Sequence, residues 1–108
     1  MKVHKIAEYS VKPEELDAVL KAIKNFVEEI RKSEPQTNYQ AYQLSENSSQ
    51  FIHIMSFMDS EAEEKHKNAT YTLAFADVLY PRCDQQPIFR DMNSVALTLG
   101  EGVVDWAN

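Results

Sequence analysis

The side chains able to exchange a proton near neutral pH are few: the histidines His4, His53 and His66, and a single cysteine, Cys83. Imidazole is the group that titrates there unperturbed, so a histidine is the natural candidate for a general base. His66 stands between Lys65 and Lys67, where it is either such a base or a solvent-facing partner for the negative end of a helix. His53 has Phe51, Met55 and Phe57 at alternating positions around it. Burial there would lower its pKa and keep it neutral, as a base or as a hydrogen-bonded core or interface residue. Tyr39, Tyr42 and Tyr71 can stack on or hydrogen-bond an aromatic ligand, or simply fill a core. Asn38 and Asn68 can donate to a developing oxyanion, or serve as turn and capping residues. Cys83 follows Pro81-Arg82, and although Arg82 would favour the thiolate, no histidine is adjacent to activate it.

Metal and cofactor chemistry find little footing. Glu63-x-x-His66 has the spacing used in carboxylate-bridged iron sites, but those need two such motifs and two further glutamates. The three histidines fall on separate elements without an H-x-H or H-E-x-x-H pair, and one cysteine cannot build a thiolate cluster or an intrachain disulfide. The two glycines, Gly100 and Gly102, form no dinucleotide-binding G-x-G-x-x-G. We expect no metal and no cofactor.

The elements that must position these residues are legible from periodicity. Val3 to Val11 reads as a strand ended by Lys12-Pro13. From Leu16 the apolar residues Val19, Leu20, Ile23, Phe26, Val27 and Ile30 trace one face of a helix, which Ser33-Glu34-Pro35 stops. Residues 37–44 and 51–58 predict a hairpin across a polar turn. Asp59-Ser60 opens a short helix, with Ser60 and Glu63 at capping-box spacing. A further helical stretch runs from about Ala69 until Pro81, and a last strand spans roughly residues 88–99. The order strand, helix, strand, strand, helix, strand is the split βαβ, ferredoxin-like α+β arrangement. The expected domain covers residues 1–100, with a tail at 101–108 that carries Trp106.

With 17 acidic against 11 basic residues and a net charge of −6, the surface repels phosphate backbones and anionic lipid, so neither nucleic acid nor membrane is an expected partner. No stretch approaches the roughly 20 apolar residues that cross a bilayer, and a lone cysteine suits a reducing, cytoplasmic location. A four-stranded sheet with helices on one side should alternate apolar and polar residues. Residues 51–58 do not: one parity carries Phe51, His53, Met55 and Phe57, the other Ile52, Ile54, Ser56 and Met58. A sheet apolar on both faces calls for a cover, and a twofold homodimer is the simplest one. Parity alone does not say which face meets the helices.

The run from Phe57-Met58-Asp59-Ser60 through Glu63, His66, Asn68 and Tyr71 to Leu73, Phe75 and Leu79 resembles the antibiotic biosynthesis monooxygenase family, the quinol-monooxygenase-like proteins. The resemblance spans about residues 2–98. It implies a dimeric α+β barrel, and a cofactor-independent monooxygenase acting on a quinol or small phenol, with His66, which matches the family histidine, catalytic; His53, Tyr39, Tyr42, Asn68 and Tyr71 are the residues read above as able to surround a small aromatic or apolar metabolite. Haem degradation in a related branch uses an Asn, Trp and His set, and the only tryptophan here lies in the tail, which counts against haem. Other readings from the same superfamily are a non-catalytic dimeric metabolite-binding or structural module, and a proton-transfer isomerase.

Overall fold

The apolar periodicities translate directly into layers. In the computed structural model, which describes residues 1–98 together with the backbone of 103 and 104, the first strand β1 is Val3–Val11. A 3-10 turn at Pro13–Glu15 leads into helix α1, Leu16–Ser33, whose buried residues Val19, Ile23, Phe26 and Ile30 follow the 4, 3, 4 spacing of a single helical face. Strands β2 (Asn38–Gln43) and β3 (Gln50–Phe57) form the hairpin. Helices α2 (Ser60–Asn68) and α3 (Thr70–Leu79) follow, then strand β4, Cys83–Met92, and two short paired strands, β5 (Leu97–Thr98) and β6 (Val103–Val104). The main sheet has the order β2-β3-β1-β4 with every neighbour antiparallel, the ferredoxin-like topology.

The register decides which residues share a face. Lys5 lies opposite Met55, Ala7 opposite His53 and Tyr9 opposite Phe51, while Tyr39 is opposite Met55 on the far side of β3. Phe51, His53, Met55 and Phe57 are all buried, and the ring contacts of Phe26 and His66 with this layer show that the helices cover it. Two apolar clusters divide the core: Tyr9, Val11, Val19, Ile23, Phe51, Leu79 and Cys83 at one end, Ala7, Met55 and Phe57 at the other.

Two local details differ from the sequence expectation. The cap of α2 is Asp59, whose carboxylate accepts from the Ala62 amide at 2.8 Å, so the aspartate takes the role the spacing assigned to Ser60. The last long strand begins at Cys83 and ends at Met92, well before residue 99. Pro87, just before the expected start, sits inside the strand, where the register against β1 shifts between Glu8 and Ser10; β4 is an edge strand, and a bulge on an edge tolerates the missing amide. Most of the expected tail, including Trp106, lies outside the described residues. Among the described residues no helix is long and apolar enough to cross a membrane.

Candidate active site

Between the helices and the covered face of the sheet lies a cavity of about 530 Å³. Its floor is β1 and β3, which contribute Ala7, Tyr9, His53, Met55 and Phe57; β2 adds Tyr39, α1 adds Phe26, and α2 and α3 roof it with His66, Thr72, Phe75 and Leu79. The lining is apolar for the most part, with polar atoms at a few points, the composition of a site for a small molecule.

His66 is 6% exposed, at the C-terminal end of α2. Its Nδ1 lies 2.8 Å from Glu34 Oε2, a carboxylate supplied by the residue that ends α1. Tyr71 donates to the same Glu34 oxygen, and Thr37 donates to the other at 2.9 Å. Glu34 is thus held from two sides and in turn fixes the imidazole. With a carboxylate on Nδ1, the neutral ring carries its proton there and presents Nε2 as the basic nitrogen. Among the described residues Nε2 has no hydrogen-bond partner, and the ring packs between Phe57, Phe26 and Tyr39 at centroid distances of 5.0, 5.7 and 5.9 Å.

A second polar cluster lies deeper. His53, 1% exposed, has Tyr9 Oη 2.7 Å from Nε2 and Tyr39 Oη 2.7 Å from Nδ1. Burial lowers its pKa to about 4, so the ring is neutral at physiological pH. Burial likewise pushes the Tyr9 and Tyr39 phenols far above their ordinary range, helped for Tyr39 by the negative charge of Glu34. Burial, then the bond to Glu34, raises Tyr71 as well. These phenols are therefore proton-bearing donors, not phenolates.

One rim of the cavity is charged. Lys5 bonds to Glu63 and reaches Asp91 at 3.5 Å, while Lys67 lies 3.8 Å from Glu63. Burial disfavours the Lys5 ammonium, but Glu63 and Asp91 outweigh it and leave its pKa raised. Thr72 Oγ1 is buried in the wall with no partner among the described residues, a polar point that a ligand can satisfy.

Of the residues singled out in the sequence, His66, His53 and Tyr39 come together at this cavity. Tyr71 stands behind His66 on Glu34 and does not line the wall. Tyr42 is 49% exposed on the opposite face of the sheet. Asn68 bonds back to Glu64 at the end of α2, and Asn38 is exposed on β2. Burial raises the Cys83 thiol, which keeps it protonated and inert. Glu63 is engaged by lysines and His66 by Glu34, and among the described residues no group of three His, Cys, Asp or Glu converges as a metal site would need.

Periodicity gave no hint of Glu34, Phe26 or Tyr9 as site residues. Glu34 did carry a signal: a carboxylate at the negative end of a long helix is locally unfavourable, and such a conflict points to a tertiary partner.

No curated protein matches the sequence. Among solved structures, one described as an antibiotic biosynthesis monooxygenase superposes with a TM-score of 0.80 at 23% identity, covering 86% of this chain and 98% of that one. A conserved protein from Methanosarcina mazei gives 0.78 at 20% identity over 85% and 91% of the two chains. A Pseudomonas aeruginosa protein gives 0.75 at 21% over 84% and 91%. At these identities the likeness establishes the fold. The sequence model of the antibiotic biosynthesis monooxygenase family matches residues 2–78. With the ferredoxin-like sheet and a cavity roofed by the histidine-bearing helix, the chain belongs to the antibiotic biosynthesis monooxygenase family.

Proposed function

We propose that the protein is a cofactor-independent monooxygenase of a quinol or small phenol, with His66 as the base. The observation that carries this reading is the Glu34–His66 pair at the wall of an apolar cavity, with Nδ1 engaged and Nε2 open. A phenol whose hydroxyl reaches Nε2 loses its proton to the ring, and Glu34 stabilises the imidazolium that forms. The phenolate is electron-rich enough to pass an electron to oxygen directly, and recombination at the ring carbon followed by loss of water gives a quinone. Phenol plus O2 yields quinone plus water, so the substrate supplies all the electrons. What the chain must provide is the base, an apolar enclosure that excludes water, and donors for oxygen atoms that gain charge. Phe26, Phe57 and Phe75 offer ring faces for stacking, and Thr72 Oγ1 a hydrogen-bonding point.

The active species is a homodimer joined through the helix-free face of the sheet. That face carries Ile6, Ile52 and Ile54 at its centre, with Tyr42, Ile88 and Met92 exposed towards its edges, apolar surface that association would bury.

The test is oxygen uptake by the purified, metal-free protein with a panel of hydroquinones and phenols. His66→Ala should lower turnover by about 10²- to 10⁴-fold, the usual contribution of a general base. No uptake above buffer, or uptake unchanged in His66→Ala, removes the oxygenase reading; substrate turnover without oxygen would place the chemistry in proton-transfer isomerisation instead.

A further inference from the structure

The Tyr9–His53–Tyr39 cluster can be solved by counting protons. Its two hydrogen bonds, both 2.7 Å, join three groups. Burial keeps His53 neutral, so the ring holds one proton, and each phenol holds one more. Three protons serve two bonds, which leaves one hydroxyl proton unspent. Its location follows from the surroundings. Tyr9 is 4% exposed and packs in the apolar cluster with Val11, Phe51 and Leu79, its ring stacked on Phe51 at 5.4 Å. No acceptor other than His53 meets its hydroxyl among the described residues. Tyr9 lines the cavity too, yet its ring contacts are Phe51 and His53, inside the apolar cluster and not beside His66, so an unspent donor there costs desolvation of the group and Tyr9 donates to Nε2. His53 then carries its proton on Nδ1 and donates it to Tyr39. Tyr39 is a partly exposed residue on β2, and its ring lies against Phe26 and His66, the part of the cavity nearest the proposed base.

We infer that Tyr9, His53 and Tyr39 form a one-way hydrogen-bond relay whose last hydroxyl, that of Tyr39, donates to a carbonyl or phenolate oxygen of the cavity ligand. The relay rests on the reading of the cavity as an aromatic-binding site. Aligned donors polarise one another, so the terminal hydroxyl is a stronger donor than an isolated tyrosine. It belongs to the same cavity as His66, whose ring lies 5.9 Å from that of Tyr39, which places a group that removes a proton beside one that stabilises the resulting oxygen charge. Tyr9 and His53 act as positioning residues; Tyr39 touches the ligand.

Two measurements test this, and neither needs turnover. Long-range ¹⁵N–¹H NMR of the ligand-free protein at neutral pH should show His53 neutral and protonated on Nδ1. A proton on Nε2, or an imidazolium, overturns the direction of the relay. Binding of 1-tetralone and tetralin, which share a skeleton and differ by one carbonyl acceptor, reads its ligand end. Tyr39→Phe should lower the tetralone-to-tetralin affinity ratio about fivefold, the worth of one net hydrogen bond. Tyr9→Phe should lower it less, because Tyr39 keeps its hydroxyl and loses only the polarising first member, while the NMR signature of a fixed Nδ1 proton weakens. An unchanged ratio in Tyr39→Phe, with its melting temperature preserved, overturns the proposal. If neither probe binds the wild type, the aromatic-cavity reading and the ligand end of the relay fall together, and the tautomer still decides the direction. A protein that consumes no oxygen yet shows the tetralone preference keeps the relay and loses the monooxygenase.

Discussion

The two faces of one sheet have opposite fates although their sequences are nearly equally apolar. On β3 the helix-facing residues Phe51, His53, Met55 and Phe57 are buried, while Ile52, Ile54 and Ser56 on the other face are only partly covered. Ile88 beside them on β4 is 55% exposed. The covered face is heterogeneous, with large aromatics, two histidines reached from different elements, and a cavity where packing is incomplete. The bare face is aliphatic at its centre, and its polar contacts include the His4–Ser56 and Ser10–Asp84 hydrogen bonds and the Arg90–Glu8 ion pair. Chemistry needs polar groups held in a dry enclosure, and the first face has them; adhesion needs apolar area, and the second leaves it open across its centre.

The contrast predicts opposite outcomes for one kind of substitution. Phe57→Asp removes a fully buried ring and leaves a carboxylate with no partner, a loss of several kcal/mol that a domain of this size cannot absorb. The expected result is loss of the cooperative thermal transition by circular dichroism. Met55→Asp, on the same face, should do the same; a native-like transition in either would show that this layer is not the core. Ile54→Asp, one position away, should keep the secondary structure and instead shift the mass seen by light scattering from about twice 12.4 kDa to the single-chain value. A wild type that scatters as a single chain, or an Ile54→Asp protein that still pairs, would leave the bare face without its proposed cover.

The pH dependence of stability separates the faces again. His53 is neutral in the folded state with a pKa of about 4, and returns to about 6.5 when the chain unfolds. The unfolded chain therefore binds more protons between these values, and stability is complete above pH 6.5 and falls as the pH drops towards 4. The loss across that window is on the order of 3 kcal/mol. Urea midpoints measured over this range should slope steeply for the wild type. His53→Gln, which keeps hydrogen-bonding capacity without a titrating proton, should flatten the slope. Equal slopes in the two proteins would mean that His53 is not held neutral by burial.

Much of this contrast was already written in the sequence, because β1, α1 and the hairpin follow from local patterns that tertiary packing merely ratifies. The even greasiness of β3 announced that both faces needed cover. What parity could not say is which face the helices take, since that depends on the handedness of the whole βαβ unit and on register set by distant strands. The site was legible in proportion to how local it is. His66 stands out next to its lysines, whereas Glu34 reaches it from 32 positions away and Tyr9 reaches His53 from 44 positions away, through pairings no short window contains. Tyr42 and Tyr39 looked alike in the sequence, yet three residues along a strand put them on opposite faces, one wet and one beside His66.

The smallest effect is the most telling about the bare face. Arg90 donates to Glu8 at 3.1 Å across β1 and β4, with both side chains well exposed in the single chain. An exposed pair of this kind contributes about 0.2–1 kcal/mol, so Glu8→Gln should hardly move the urea midpoint of a dilute, dissociated sample. In a dimer the same two side chains sit beside apolar residues that pack against the twin, and deleting the carboxylate then leaves the Arg90 guanidinium without its partner where water is scarce. The cost should rise with protein concentration towards about 3 kcal/mol as the interface fills. Denaturation of wild type and Glu8→Gln across a dilution series reads this directly, and a difference that stays small at every concentration would mean that this edge of the face remains in water even when two chains meet.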